Sequence, residues 1–303
     1  MESSLEAQVG PLRLERPTVL ASGILGISVE IFGRLHGAGA GAIVSKSISV
    51  EPRDGYPGPT VVPLGGGGWI NAVGLSNPGA AAFAGMIRDN RTVPIIVSLV
   101  GSAPEEFSSM VERFEGCHIA GYEINLSCPH VDDVGLEVGD DPELVSRVVR
   151  ATKSAASVPV FAKVGLGRSD YLDTVSAAID AGADGITAIN TVQALAIDIE
   201  AQRPKLSNGI GGLSGIPIGT IAQRCVAQIH SQFDIPIMGC GGVSTWEDAV
   251  ALVLAGASAV QLGSALGYGS PDRVFADVND GIARYMERKG VRSVREMVGR
   301  ALA

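Results

Sequence analysis

The sequence is short of charge, and of positive charge in particular. Only 18% of its 303 residues are charged, and 23 Lys and Arg stand against 32 Asp and Glu, a formal net charge of −9. Proteins that bind nucleic acid or anionic membranes neutralise phosphates with stripes of Lys and Arg, and the sequence shows no such stripe. The balance argues against both classes, and an anionic ligand would need positive charge supplied locally at its site.

Cysteine and histidine are also scarce. The four cysteines (Cys117, Cys128, Cys225 and Cys240) form no CxxC pair, and the chain has four His. A metal site, such as a zinc finger or an iron–sulfur cluster held by this chain alone, is therefore not expected. The few cysteines, and an acidic start without the apolar region of a signal peptide, predict a cytoplasmic location.

One uncharged stretch is long enough to resemble a membrane span. Residues 249–271 contain no charged side chain, a length that could cross a bilayer. Gly256 divides the stretch into a helix over Ala249–Leu254 and a strand over Ala259–Leu262. We therefore predict packed core elements here and no membrane segment.

Short apolar segments recur along the chain and predict its fold. They run almost without polar interruption, which is typical of parallel strands buried on both faces. Helical patterns follow several of them, over residues 142–154, 171–181 and 245–255. We predict one α/β domain over residues 1–303, a (β/α)8 TIM barrel with long insertions at its carboxyl-terminal face. The predicted strands are Thr18–Ala21, Ala42–Ser45, Ile95–Val100, Tyr122–Leu126, Val158–Val164, Gly185–Asn190, Ile235–Gly239 and Ala259–Gly263.

The two longest connections cover residues 46–94 and 191–234. Both follow the carboxyl end of a predicted strand, the face on which barrel enzymes carry their active sites. The first includes residues 55–87, which carry no charge but contain Trp69. We predict that this segment folds into a polar-lined wall of the site.

Residues at the strand ends indicate an anionic ligand. Lys46 and Lys163 each follow apolar strand residues, so they are expected at the barrel mouth as anion-binding groups, although either could be a structural ion-pair partner. Gly241-Gly242 and Gly263-Ser264 end consecutive strands, where barrels often bind phosphate through backbone N–H groups and a helix N-terminus. Plain tight turns are the alternative. Cys240, within the first turn, is interpreted as packing.

The segment after the fourth predicted strand holds a candidate base. Cys128 follows Asn125 and Ser127 and precedes Pro129; a thiolate there could act as nucleophile or general base, although a lone cysteine is usually a small core residue. Asn71, Asn125 and Asn190 offer paired donors and acceptors that suit a pyrimidine ring. The stretch 37–42 fits G-x-G-x-x-A but precedes a strand, so it is interpreted as a helix-to-strand turn and not as a dinucleotide fingerprint.

Several motifs at the strand ends and in the long loops stand out together: Lys46-Ser47, Asn71-Ala72-Val73-Gly74-Leu75, Asn125-Leu126-Ser127-Cys128-Pro129, Ala162-Lys163, Asn190-Thr191, Gly211-Gly212-Leu213-Ser214-Gly215 and Gly241-Gly242. In these motifs the sequence resembles a known family, the class 1 dihydroorotate dehydrogenases, and most closely their type B catalytic subunits. The resemblance extends from Ala21-Ser22-Gly23 to Leu262-Gly263-Ser264 and also includes the stretch from Ala196 to Pro204.

The resemblance implies FMN at the barrel mouth and oxidation of (S)-dihydroorotate to orotate in pyrimidine biosynthesis. Cys128 would take the C5 proton while C6 delivers hydride to the flavin, with Lys46 and Lys163 as the other catalytic residues. Matching positions imply FMN contacts at Ser22, Lys46, Ser47, Ser98, Asn125, Lys163, Ile189, Gly215, Gly241, Gly242, Gly263 and Ser264. They imply substrate contacts at Lys46, Asn71, Ala72, Val73, Gly74, Leu75, Asn125, Asn190 and Thr191.

Two positions depart from the family pattern. Ser98 and His130 stand where the family commonly has Asn, so one contact to FMN and one to orotate are in question. The segment 125–130 also resembles the flavin domain of dihydropyrimidine dehydrogenase, which acts on uncharged rings, but Lys46-Ser47 and the stretch 196–204 favour dihydroorotate.

The type B resemblance implies a partner. NAD would be the final acceptor, reached through an electron-transfer subunit that carries FAD and a two-iron iron–sulfur cluster and pairs with a homodimer of this chain, possibly as a heterotetramer. The loop 129–140 is expected to act as a lid. Two alternatives stay open: an FMN barrel for uncharged dihydropyrimidines, and a flavin-free phosphate-binding barrel, a lyase or isomerase that uses Lys163.

Overall fold

The computed structural model describes residues 4–127 and 138–303. The strands of this part of the chain are β1 (Ala7–Val9), β2 (Leu12–Leu14), β3 (Thr18–Leu20), β4 (Ala42–Val44), β5 (Val61–Leu64), β6 (Gly68–Asn71), β7 (Ile95–Leu99), β8 (Gly121–Asn125), β9 (Val160–Val164), β10 (Gly185–Ala188), β11 (Val192–Leu195), β12 (Ile197–Asp198), β13 (Arg203–Pro204), β14 (Ile210–Gly215), β15 (Ile237–Cys240) and β16 (Ala259–Leu262). Its α-helices are α1 (Val29–Gly37), α2 (Ala80–Ile87), α3 (Pro104–Arg113), α4 (Pro142–Ala155), α5 (Tyr171–Asp180), α6 (Gly219–Gln232), α7 (Trp246–Leu254) and α8 (Val274–Lys289).

Eight parallel strands close into a barrel in the order β10-β15-β16-β3-β4-β7-β8-β9. The helices pack around it, which confirms the predicted (β/α)8 fold. Each predicted segment overlaps one barrel strand, and most of these strands are shorter than predicted. The segment 185–190, for example, leaves the regular strand after Ala188, and Ile189 and Asn190 turn into the cavity wall. Strand β8 begins one residue before its predicted segment, at Gly121, and β15 ends one residue after its own, at Cys240. An apolar run in the sequence indicates which residues are buried, whereas a strand ends at the residue where its hydrogen-bonded pairing with the neighbouring strand ends.

Local signals set the helix ends. Asp141 accepts hydrogen bonds from two backbone N–H groups at the start of α4. Asp170 caps α5 and Thr245 caps α7 in the same way, each by satisfying donors that the first helical turn leaves unpaired. The sequence alone narrows these caps to the pairs Asp140 or Asp141, Ser169 or Asp170, and Ser244 or Thr245.

A hairpin closes the bottom of the barrel. Strands β1 and β2 pair antiparallel, and Val9 and Leu14 pack with Val19, Ile96 and Phe161 in a separate apolar cluster. The amino-terminal end of the barrel is thereby filled with side chains, and the carboxyl-terminal end is left for the site.

The two long connections fold together above the barrel. The first supplies β5 and β6, the second supplies β11 and β14, and these strands form one sheet in the order β11-β14-β6-β5. We call this sheet, together with the β12–β13 hairpin, the extension. The prediction that the first connection forms a folded wall is confirmed, and each connection also holds the helix of its βα unit, α2 or α6.

The uncharged stretch 249–271 folds into most of α7, all of β16 and a 3-10 turn at Ser264–Gly267. Within the described residues, no helix has the length and apolar character needed to cross a membrane. The predicted helix-to-strand turn at residues 37–42 lies between α1 and β4, as expected.

Candidate active site at the carboxyl end of the barrel

A cavity of about 1000 Å³ lies between the carboxyl end of the barrel and the extension. Most of the site residues expected from the sequence line it. They are Ser22, Lys46, Ser47, Asn71, Ala72, Val73, Gly74, Leu75, Asn125, Lys163, Ile189, Asn190, Thr191, Gly215, Gly241, Gly263 and Ser264.

Two expected FMN residues do not line the cavity. Ser98 is fully buried, with its Oγ 2.9 Å from Ser47 Oγ, so it lies behind a residue that does. Gly242 packs against the start of α6, where a Cβ would come within 2.3 Å of Gly219 Cα. The resemblance implies FMN contacts at Ser98 and Gly242 because these positions match the family's motifs. A matching position in a strand or turn does not tell which atoms reach the cavity.

Lys46 directly follows β4 and is half-buried in the cavity wall. No carboxylate among the described residues lies within ion-pair distance of its ammonium. Burial lowers the pKa of Lys46 below its ordinary value, because the charged form loses hydration. An unpaired cation is thus available for an anionic ligand in a protein whose net charge is negative.

Lys163 belongs to a buried polar network. Its Nζ donates to Gln261 Oε1 at 3.0 Å and lies 3.5 Å from Glu123 Oε1. Burial lowers the pKa of Lys163, whereas the Cys240 sulfur and the Glu123 carboxylate raise it, and the net direction is upward. The Glu123 carboxylate beside it favours the ammonium form of Lys163 over the neutral amine that a Schiff-base mechanism needs.

The three asparagines converge as predicted. Asn190 Nδ2 donates to Asn125 Oδ1 at 3.2 Å, and Asn125 Nδ2 donates to Ser47 Oγ at 3.1 Å. Asn71 reaches the cavity from the opposite side, on β6 of the extension, where its Nδ2 donates to Gly212 O at 3.1 Å. Barrel and extension thus present amide groups to the same space.

The turns after β15 and β16, which the sequence predicts as the phosphate site, differ in how their backbone N–H groups are capped. The N-terminus of α7 carries a capping box, in which Thr245 Oγ1 accepts from Asp248 N at 3.4 Å and the Asp248 carboxylate accepts from Thr245 N at 2.9 Å. The 3-10 turn Ser264–Gly267 after β16 has no side-chain cap, and Gly241, Gly263 and Ser264 line the cavity beside it.

Sequence reasoning missed several residues at the site. They are Gln261 and the arginines Arg53 and Arg168, which line the cavity, and Cys240, which lines it although its sequence context predicts a packing role. Trp69 lines the cavity as well, within the wall predicted for residues 55–87. Glu123, behind Lys163, was missed as well. Its only signal was a carboxylate inside an apolar strand, and such a residue has no obvious partner until strands distant in sequence are brought together.

The proposed base lies outside the described residues. Cys128, Pro129 and His130 belong to the segment 128–137, and most of the predicted lid does too. The chain leads into this segment from Ser127, which lines the cavity. It is described again from Val138, and Gly139 N donates to Leu126 O at 2.8 Å.

Comparison with known proteins identifies relatives over nearly the whole chain. The sequence model of the family "Dihydroorotate dehydrogenase" matches residues 4–286. The chain is 47% identical over 299 residues to "Dihydroorotate dehydrogenase B (NAD(+)), catalytic subunit" of Pyrococcus furiosus, covering 98% of this chain and 99% of that protein. It is 45% identical over 301 residues to the protein of the same name from Thermococcus kodakarensis, covering 99% of each. It is 42% identical over 304 residues to "Putative dihydroorotate dehydrogenase A (fumarate)" of Aeropyrum pernix, covering 99% of this chain and 98% of that protein.

Proposed function

This chain belongs to the dihydroorotate dehydrogenase family, and on that premise we propose that it oxidises (S)-dihydroorotate to orotate, in pyrimidine biosynthesis, with FMN bound at the barrel mouth. The observation that carries the proposal is the unpaired Lys46 ammonium in a cavity that also holds Asn71, Asn125 and Asn190. A carboxylate-bearing pyrimidine needs this combination of one fixed cation and several amides.

The substrate residues follow from this arrangement. Lys46 would pair with the substrate carboxylate, and the asparagines would hydrogen-bond the ring carbonyl and N–H groups. Residues Ala72, Val73, Gly74 and Leu75 would close the extension side, and Thr191 the barrel side. An uncharged dihydropyrimidine would leave Lys46 unpaired and desolvated, which disfavours that alternative substrate class.

The cavity also fits FMN. Its volume of about 1000 Å³ is at the upper end for a single ligand, which leaves room for cofactor and substrate together. We propose that Gly215, Gly241, Gly263 and Ser264 hold the phosphate end, and that Gly242 acts from behind them by shaping the turn after β15. Ser22, Ser47, Ser98, Asn125, Lys163 and Ile189 would hold the ring end, Ser98 acting from behind Ser47. FMN, when bound, supplies the acceptor for the hydride that leaves C6 of the substrate.

We propose Cys128 as the general base that takes the proton from C5 of dihydroorotate. Support comes from its place in the sequence, directly after Ser127 of the cavity wall. Lys163 would stabilise the negative charge that develops on the reduced cofactor.

Electrons would leave through a partner subunit that carries FAD and a two-iron cluster, with NAD as final acceptor. The names of the Pyrococcus and Thermococcus relatives, with NAD(+) and "catalytic subunit", support this route. The name of the Aeropyrum relative supports a second candidate acceptor, fumarate. We further propose that the chain acts in the cytoplasm as one FMN-binding barrel domain over residues 1–303, assembled as a homodimer.

The test is anaerobic reduction of the FMN-reconstituted chain. We expect a yellow protein whose flavin absorbance is bleached by dihydroorotate with stoichiometric formation of orotate. Uncharged 5,6-dihydrouracil, at the same concentration, serves as the control and should bleach it far more slowly. A chain that stays colourless with FMN, or one that dihydrouracil bleaches as fast, would overturn the proposal.

A further inference from the structure

One buried carboxylate has no part in the function proposed above. Glu123 lies in β8 and is fully buried, and Lys163 is 4% exposed. Among the described residues these two are the charged side chains that are buried. Burying a carboxylate is costly unless partners replace its lost hydration, and an apolar residue of similar size would serve packing alone equally well.

The partners of Glu123 come from three other strands of the barrel. Its Oε2 accepts hydrogen bonds from Gln261 Nε2 at 2.7 Å and from Thr187 Oγ1 at 2.9 Å. Its Oε1 has no hydrogen-bond donor among the described residues and lies 3.5 Å from Lys163 Nζ. The neutral partners hold one oxygen, and the other is left to Lys163.

Two partners in the network account for two of the three N–H donors of the Lys163 ammonium. Its ammonium has three N–H groups, of which one reaches Gln261 Oε1 at 3.0 Å and one faces Glu123 Oε1. Gln261 accepts from Lys163, so its amide nitrogen is turned toward Glu123. The third N–H is available to the cavity that Lys163 lines.

We infer that Glu123 is a positioning residue, which holds Lys163 as a charged, oriented donor toward the cofactor ring. The inference rests on the proposed FMN site. Glu123 itself is not among the residues that line the cavity, so it acts through Lys163. Without its carboxylate, Lys163 would be a desolvated cation with a neutral partner, and it would lose its proton or its orientation.

The experiment measures the affinity of the protein for reduced against oxidised FMN, a quantity independent of turnover. Glu123→Gln keeps the shape and removes the charge. We expect the preference for reduced FMN to fall at least tenfold, which lowers the two-electron midpoint potential of the bound flavin by about 30 mV. Lys163→Met should lower it by at least as much, and adding Glu123→Gln to Lys163→Met should change it no further, because Glu123 acts through Lys163.

A matched control separates this effect from the loss of an ion pair in general. Asp184 pairs with Lys153 and accepts a hydrogen bond from Val160 N at 2.8 Å, and neither member of the pair lines the cavity. Asp184→Asn should lower the melting temperature without changing the flavin potential. An unchanged potential in Glu123→Gln, or an equal shift in Asp184→Asn, would overturn the inference.

An exchange variant carries the test if Glu123→Gln does not fold. Glu123→Gln combined with Gln261→Glu keeps the buried charges but moves the carboxylate from β8 to β16, still beside Lys163. We expect this double variant to fold with a potential close to that of the unmodified protein, and a lowered potential would contradict the inference. Failure of the unmodified chain to bind FMN would instead overturn the proposed function, and this inference with it.

Discussion

The first prediction at the scale of single residues concerns Cys128. Cys128→Ala should keep FMN but lose the reduction of FMN by dihydroorotate, by about 10²–10⁴-fold, the usual contribution of a general base. Cys128→Ser should be weakly active, because a hydroxyl is a far poorer base. Stopped-flow flavin absorbance measures both.

Cys117→Ala is the matched control, because Cys117 lies away from the cavity and donates to Ala84 O at 3.6 Å. It should react at the normal rate. An ordinary cysteine thiol has a pKa of about 8.5, so the rate in the unmodified enzyme should rise toward alkaline pH. Near-normal reduction in Cys128→Ala would remove Cys128 from the role of base.

Lys46 carries the second prediction. Lys46→Ala should raise the KM for dihydroorotate about ten- to hundredfold, since a hydrogen bond to a charged group in a buried site is lost, and should also lower kcat. Lys289→Ala, at an exposed position at the end of α8, should leave both unchanged. Steady-state kinetics with an artificial dye measures the effect, and normal orotate binding by Lys46→Ala would place the carboxylate elsewhere.

The pH dependence of the same residue has a definite sign. Burial lowers the pKa of Lys46 in the free enzyme, so its charge is lost, as the pH rises, before that of an ordinary lysine. Because kcat/KM reports the free enzyme, its alkaline limb should fall while kcat, which depends on the base, still rises. An alkaline limb that is the same in Lys46→Arg would contradict this assignment, because arginine stays charged.

At the scale of elements, the turn between β15 and α7 depends on Gly242. Its φ of +77° is in the left-handed region, and a Cβ would lie 2.3 Å from Gly219 Cα at the start of α6. Because that contact is with backbone, α6 or the turn must move. Gly242→Ala should therefore lower both the melting temperature and the affinity for FMN.

Gly290 provides the control, with a φ of +66° and no atom within 4 Å of the position that a Cβ would take. Gly290→Ala should cost only the backbone strain of about 1–2 kcal/mol and leave FMN affinity unchanged. Calorimetry and fluorescence titration with FMN compare the two variants. Equal FMN affinity in both would show that the turn does not shape the cofactor site.

At the scale of the whole molecule, the route of the electrons is testable on the isolated chain. We expect it to reduce artificial dyes with dihydroorotate and to reduce NAD hardly at all, because no dinucleotide fingerprint or cluster-binding cysteine spacing is present in the sequence. Adding the electron-transfer subunit should restore NAD reduction. Rapid NAD reduction by the isolated FMN-loaded chain, or fast turnover of fumarate without any partner, would contradict the type B assignment.

The extension carries the prediction on assembly. Leu195, Ile197 and Ile199 are 53%, 55% and 79% exposed, and neighbouring exposed apolar residues are typical of interaction surfaces. Leu195→Glu together with Ile199→Glu should weaken the proposed homodimer, measured by sedimentation velocity. Met86→Glu, at a 51% exposed position on α2, is the control and should leave the dimer intact. Equal sedimentation of all variants would place the interface elsewhere.

The barrel was predictable from sequence because its signals are local. Buried parallel strands must be apolar on both faces, so each appeared as an apolar run, and caps such as Asp141 and Thr245 satisfy helix N–H groups only a few residues away. Lys46, Asn125 and Lys163 could be placed at one face because every barrel strand ends there. The same argument could not tell that Ser98 lies behind Ser47, since burial depth depends on the packing of neighbouring strands.

The sequence by itself therefore determined the fold class, the face that carries the site and the residue types available for an anionic ring and a cofactor. Tertiary structure alone decided which of them meet. Glu123, Lys163, Thr187 and Gln261 lie on four strands far apart in sequence, and only closure of the barrel brings them within hydrogen-bond distance. The extension is likewise a product of the fold, since β6 and β14 pair across about 140 residues. Such contacts produce no periodic pattern in the sequence, because the residues that make them approach one another only when the whole chain has packed.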